Sequence, residues 1–158
     1  MIPDFFVRLL ADVLVVPIVI IGAFALVRYV PNKGRFQAYT RILMAGLTAL
    51  LLAKLAASTW QPEGARPFIE QGLAARAAYV NNPGFPSDHV LFSAAITLAV
   101  HFETGKKRIA LALLIMTLLV GIGRVMALVH TPVDIIGGLL FASLGALWYF
   151  TEPKRFRS

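Results

Sequence analysis

The chain has 158 residues, of which 58% are hydrophobic, and its mean hydropathy is +0.76. Soluble domains use about 45–50% apolar residues, so a small polytopic membrane bundle fits one domain of this length better than a soluble core does. Cysteine is absent, which excludes disulfides, thiolate metal sites and a cysteine nucleophile. The net charge of +7 reads as basic residues flanking membrane spans, because no stretch is polar enough to be a nucleic-acid arm.

A bilayer-crossing helix needs about 20 mostly apolar residues. Five segments approach that requirement: 5–29, 40–60, 87–103, 108–129 and 132–151. The expected architecture is all-α, one domain over 1–158 with about five transmembrane helices. The first segment does not read as a signal peptide, since Met1 to Asp4 carries no Lys or Arg and the basic residues follow the span. Arg8 and Asp12, four apart near its start, are expected to pair with each other. The third segment is the shortest. Before it runs the one long polar connection, Gln61 to Pro86. Its middle, Phe68 to Tyr79, is expected to form an amphipathic interfacial helix, and Asn81-Asn82-Pro83-Gly84 reads as a turn. Gly121, Gly123, Gly137, Gly138 and Gly145 are expected to let helices approach closely.

In a five-span chain the 29–41 loop, the 104–108 loop and the C-terminal tail share one side. With the adjoining span ends they hold Arg28, Lys33, Arg35, Arg41, Lys106, Lys107, Arg108, Lys154, Arg155 and Arg157. These are ten of the fifteen basic residues, which marks that side as cytoplasmic. The N-terminus is then outside and the C-terminus inside. Trp60 falls at the outer interface, and Trp148 and Tyr149 at the inner one. His101, near Glu103, falls at the inner interface and is expected to be solvated.

The same topology sends Lys54, Arg66, Ser87, His89, Arg124, His130 and Asp134 to the outer face. Hydropathy does not require that convergence, so it is independent support for one site. Arg or Asp near hydrocarbon costs about 2.5–3.5 kcal/mol at a helix centre and is normally kept for a site or a pathway. His130 and Asp134 are four apart across a Thr131-Pro132 turn. A carboxylate there can accept from one ring nitrogen and leave the other as a nucleophile or base. His89 opens a helix, whose N-terminus favours anions, and Ser87 is placed to cap it. Arg66 and Arg124 offer planar forks for phosphate oxygens. Lys54 suits either a ligand or a side chain that snorkels to the interface. Together these groups suit phosphoryl transfer, in which one histidine attacks phosphorus and the other protonates the leaving oxygen.

Arg66-Pro67, Pro86-Ser87-Asp88-His89 and Gly123-Arg124-x5-His130-x3-Asp134 resemble the motifs of the type-two phosphatidic acid phosphatase family. That family includes membrane lipid phosphatases and soluble vanadium haloperoxidases. Its pattern is Lys-x6-Arg-Pro, Pro-Ser-Gly-His and Ser-Arg-x5-His-x3-Asp. The resemblance covers about 54–134, roughly half of the chain. It implies that His130 forms a phosphohistidine, that Asp134 orients it and that His89 is the general acid. It also implies that Lys54, Arg66, Ser87 and Arg124 hold the phosphate, and that no metal or other cofactor takes part. Three positions depart from the pattern. Eleven residues separate Lys54 from Arg66, so the Gln61-Pro62-Glu63-Gly64 stretch must loop out or another cation such as Arg76 must substitute. Asp88 replaces Gly, as in bacterial undecaprenyl diphosphate phosphatases, and Gly123 replaces Ser. Five spans instead of six implies that the family's first helix is missing.

The expected function is hydrolysis of undecaprenyl diphosphate at the outer leaflet of the inner membrane, with a membrane lipid as the partner and no nucleic acid. Phosphatidic acid or phosphatidylglycerophosphate is the alternative substrate. A small transporter or channel is the rival from another class. The clustering of charge at one face argues against it, because an ion path needs ionisable groups along a span. An inactive lipid-binding relative is a further rival, opposed by the presence of both histidines.

Overall fold

In the computed structural model the described residues are 3–62, 66–80 and 84–151. The first apolar segment is one rod in three parts: α1 (Asp4–Arg8), a π-helical turn (Leu9–Val13) and α2 (Val15–Tyr29). Gly34, at φ +84°, reverses the chain into α3 (Arg35–Thr59). A single helical turn, α4 (Pro67–Glu70), lies in the long connection. The remaining helices are α5 (Asp88–Thr104), α6 (Lys107–Met126) and α7 (Pro132–Gly145), the last extended by a 3-10 turn (Ala146–Phe150).

Among the described residues, four helical stretches are long and apolar enough to cross a membrane: Asp4–Tyr29, Arg35–Thr59, Lys107–Met126 and Pro132–Phe150. Their outward faces carry exposed Phe24, Leu43, Leu51, Ile115 and Leu140, as lipid contact requires. The fifth, α5, has 17 residues. At 1.5 Å per residue it is shorter than the hydrocarbon core, roughly 30 Å thick. It lies inside the bundle, packed against α2, α3, α6 and α7. That position explains its composition. Ser93 and Thr97 are buried, and the Thr97 hydroxyl meets both the Ser93 carbonyl and the Thr117 hydroxyl of α6.

Close approach is bought with small side chains. Ala45, Ala49 and Ala53 repeat every four residues along α3 and are buried where that helix packs on α7. A Cβ on Gly145 would strike the Ala45 carbonyl. Gly123 is also crowded by backbone: its Cβ would lie 2.6 Å from the Ala11 nitrogen and 2.7 Å from Leu10. The N-terminal π-helical turn therefore occupies the space that the usual motif serine would need. Gly123→Ser should cost about 1–3 kcal/mol by overpacking against backbone, seen as a lower Tm in detergent. An unchanged Tm would mean that the turn moves aside freely.

Two local expectations are corrected. Phe68 to Tyr79 is not an amphipathic helix: after α4 the chain turns at Gly72 (φ +64°) and continues without helix. Its amides bond outward instead. Phe68 N–H donates to the Leu128 carbonyl, Arg76 N–H to the Ala127 carbonyl and Ala78 N–H to the Asp12 carboxylate. The segment is a strap across the end of α6. Tyr149 is buried against Phe102, with rings 5.0 Å apart, and does not belong to an interfacial belt. The Glu63-Gly64 part of the expected loop, the Asn81-Asn82-Pro83 part of the expected turn, and Lys154, Arg155 and Arg157 lie outside the described residues.

Candidate functional site

Thr131-Pro132-Val133-Asp134 starts α7 with a reciprocal cap. The Asp134 amide donates to the Thr131 hydroxyl, and the Thr131 amide donates 2.9 Å to Asp134 Oδ2. Pro132 stands at the first helical position, where a missing N–H costs nothing. The same Oδ2 lies 3.2 Å from His130 Nδ1. Since a carboxylate can only accept, Nδ1 carries the proton and Nε2 keeps its lone pair. Both side chains are buried. Burial pushes the His130 imidazole below its ordinary pKa, against the opposing influence of Asp134. The neutral ring is thus favoured.

α6 ends just before His130. Leu128 takes φ +60° there, a left-handed conformation costing roughly 1–2 kcal/mol for a side chain with a Cβ. The sharp turn points the Val129 and Leu128 carbonyls at the strap. Arg66, which precedes Pro67 of α4, donates to the Val129 carbonyl and, at 3.2 Å, to the Val80 carbonyl, with its guanidinium over the Tyr79 ring. It is 7% exposed, and burial pushes its pKa below the ordinary value.

Arg124, on the last turn of α6, is 1% exposed. Its NH1 donates 2.7 Å to Asp12 Oδ1 and 2.7 Å to the Ala78 carbonyl, while Nε is buried without a hydrogen-bond partner. The expected Arg8–Asp12 pair is therefore corrected: Asp12 serves Arg124. The reason is local. Leu14 N–H bonds back five residues to the Leu9 carbonyl, and such a widened turn changes the azimuth of the residues in it. Asp12 is the functional neighbour that i,i+4 reasoning misassigned. The cost of an acid in an apolar span was the available signal.

Lys54 lies near the C-terminal end of α3 and reaches the site despite its long spacing from Arg66. Its Nζ is 2.9 and 3.0 Å from the two Asp88 oxygens, and both side chains are 51% exposed. Arg76 does not substitute for it. Arg76 binds the Asp4 carboxylate at 2.7 Å and is not in the cavity wall. Ser87 occupies the N-cap of α5, but its side chain makes no capping bond. The hydroxyl is buried and has no hydrogen-bond partner, while the Ser87 amide donates 3.0 Å to the Asp134 carbonyl. His101 is exposed and distant from these groups, edge-on to Phe102.

Lys54, Arg66, Asp88, His89, Arg124 and His130 line one cavity of about 220 Å³. Asp134 backs His130 from behind the wall. A second, apolar groove of about 530 Å³ runs between α3 and α5, with Leu47, Leu50, Leu91 and Phe92 in its walls. Fold and site together define an all-helical, multi-pass integral membrane protein with a cationic, two-histidine cavity at one end of its bundle.

The PAP2 superfamily model matches residues 34–157, and the chain belongs to that family. It is similar to the undecaprenyl-diphosphatase BcrC of Bacillus subtilis (strain 168), with 30% identity over 121 residues. The match covers 74% of this chain and 60% of that protein, so the chain spans less than two thirds of its relative's length. No solved structure matches. Asp12 and its π-helical turn lie outside the family-matched residues.

Proposed function

We propose that this protein is a membrane lipid phosphatase that hydrolyses undecaprenyl diphosphate to undecaprenyl phosphate and phosphate. The observation that carries the reading is the His130–Asp134 pair on a cationic cavity bordered by an apolar groove. An amphiphilic phosphate fits that shape, with its head among Arg66, Arg124 and Lys54 and its chain between α3 and α5. The similarity to BcrC, an undecaprenyl-diphosphatase, supports the substrate.

His130 Nε2 attacks the terminal phosphorus, and a phosphohistidine forms as the bond to the bridging oxygen breaks. Asp134 holds the ring and balances its developing positive charge. His89 gives a proton to the leaving oxygen, then takes one from the water that releases phosphate from His130. Arg66 and Arg124 neutralise the equatorial oxygens, with the unpartnered Arg124 Nε and Ser87 hydroxyl as the remaining donors. The side chains supply the positive charge that this transfer needs, so turnover is metal-independent. Purified protein in excess EDTA should release phosphate from undecaprenyl diphosphate. Folded protein that releases none from this lipid or from phosphatidic acid would sink the enzyme reading.

The cavity opens on the extracytoplasmic face in this proposal. Lys54 stands at one end of α3 and Arg35 and Arg41 at the other, where Arg41 pairs with Glu103 of α5 at 2.7 Å. The basic excess is at that far end, as expected of the cytoplasmic side. Leu73 of the strap is exposed, and the chain contains no cysteine. Leu73→Cys should react with an impermeant thiol reagent in intact cells; protection until the membrane is opened would invert the topology.

A further inference from the structure

The cationic cavity and the apolar groove meet at one place. Among the described residues, Lys54 and Asp88 are the two that line both. Their side chains join α3 to the first turn of α5 as an ion pair, Nζ to Oδ1 at 2.9 Å. The junction is where a lipid diphosphate changes character. Its terminal phosphate must reach His130, its chain must enter the groove, and its second phosphate must lie between them.

We propose that the Lys54–Asp88 pair is a latch that reads this second phosphate, making Lys54 a specificity-determining residue for diphosphates over phosphomonoesters. The inference rests on the phosphatase reading for the placement of the terminal phosphate. Its physical basis is the exposure of the pair. Both side chains are half exposed, and exposed ion pairs contribute only about 0–1 kcal/mol, so a competing anion opens the latch at little cost. A phosphate with more negative charge than a carboxylate is the better partner for the ammonium. A phosphomonoester puts its single phosphate among Arg66, Arg124 and His130 and has no second anion at the junction. Asp88 then keeps Lys54, and the lysine adds little. The eleven-residue spacing from Arg66 accords with this division, because Lys54 stands at the groove end of the cavity and Arg66 just before α4.

The test is equilibrium binding to detergent-solubilised full-length protein, using methylenediphosphonate, which cannot be hydrolysed, beside inorganic phosphate. Wild type should prefer the diphosphonate. Lys54→Gln should weaken diphosphonate binding about tenfold more than phosphate binding, the scale of one charge-assisted contact of about 1.4 kcal/mol. Asp88→Asn removes the competing carboxylate and should tighten the diphosphonate. Equal weakening of both anions by Lys54→Gln would overturn the latch and make Lys54 a general cavity cation. No diphosphonate preference in wild type would overturn it as well. Preference that disappears in Lys54→Gln, in protein that turns over no lipid, would uphold the latch while the phosphatase reading fails.

Discussion

His130→Ala should abolish phosphate release, with kcat/KM falling by at least about 10⁴-fold, the scale seen when a nucleophile or its partner is removed from an enzyme. Among the described residues the cavity wall holds one other imidazole, that of His89. His130 is the imidazole whose Nδ1 is held by a carboxylate, and the cap that holds the carboxylate also starts α7. His89 stands on the first turn of another helix, in the place proposed for the acid. The effect can be separated from folding, because the reciprocal cap between Thr131 and Asp134 does not need the ring. Rapid-quench capture of acid-labile phosphoprotein in wild type, absent from the variant, is the accompanying check. Substantial residual turnover in His130→Ala would place the nucleophile elsewhere. The pH profile carries the same signature. Burial lowers the His130 pKa, so the neutral ring survives below its usual value of about 6.5. Protonation of the nucleophile should then limit kcat/KM only below that pH, and an acid limb above it would contradict the assignment.

Arg124→Lys should cost about 10²–10³-fold in kcat/KM, comparable to removing one donor that stabilises the transition state. The substitution preserves charge and still fails, because the two cations differ in shape. One Arg124 nitrogen is committed to Asp12 and the Ala78 carbonyl, while Nε is buried without a hydrogen-bond partner. A lysine offers one point and must choose between anchoring the strap and touching phosphate. Stability should also fall, by about 1.5–3 kcal/mol for a lost hydrogen bond to a charged group, read as a lower Tm in detergent. Asp12→Asn probes the other half of the pair. It keeps the shape and removes the charge that holds Arg124, so activity should drop about tenfold, with KM rising more than kcat falls. Arg124→Lys with near-normal kcat/KM would show that the guanidinium is only structural.

The sequence by itself determined the membrane class and pointed to the basic residues and histidines of the cavity wall. Hydropathy windows of helical length report burial in lipid residue by residue, so the apolar segments could be placed without contacts. The third segment was legible only as the shortest, and its reason lay in the bundle, where α5 is sheathed by four helices. The Arg124, His130 and Asp134 spacing was readable because the end of α6, one turn and the start of α7 lie within a few residues of each other. Local cap chemistry brings two of those side chains to 3.2 Å.

Only the tertiary structure decided the long-range partners. Asp12 and Arg124 are 112 residues apart, and a π-helical turn, which leaves hydropathy unchanged, sets which way the acid faces. Gly123 looked like a lost serine and is the contact that lets this turn sit against α6. Lys54 looked too far from Arg66, because counting residues along a loop says nothing about where α3 ends relative to α5. The strap followed the same rule. Its amphipathic pattern suited a helix, but its amides found carbonyls at the end of α6 and the Asp12 carboxylate, and backbone donors away from water go to the partners that the fold presents. Periodicity and spacing are properties of neighbours in sequence. The Lys54–Asp88 pair, the strap and the counter-ion of Arg124 depend on which helix ends share one face of the bundle, and packing alone settles that.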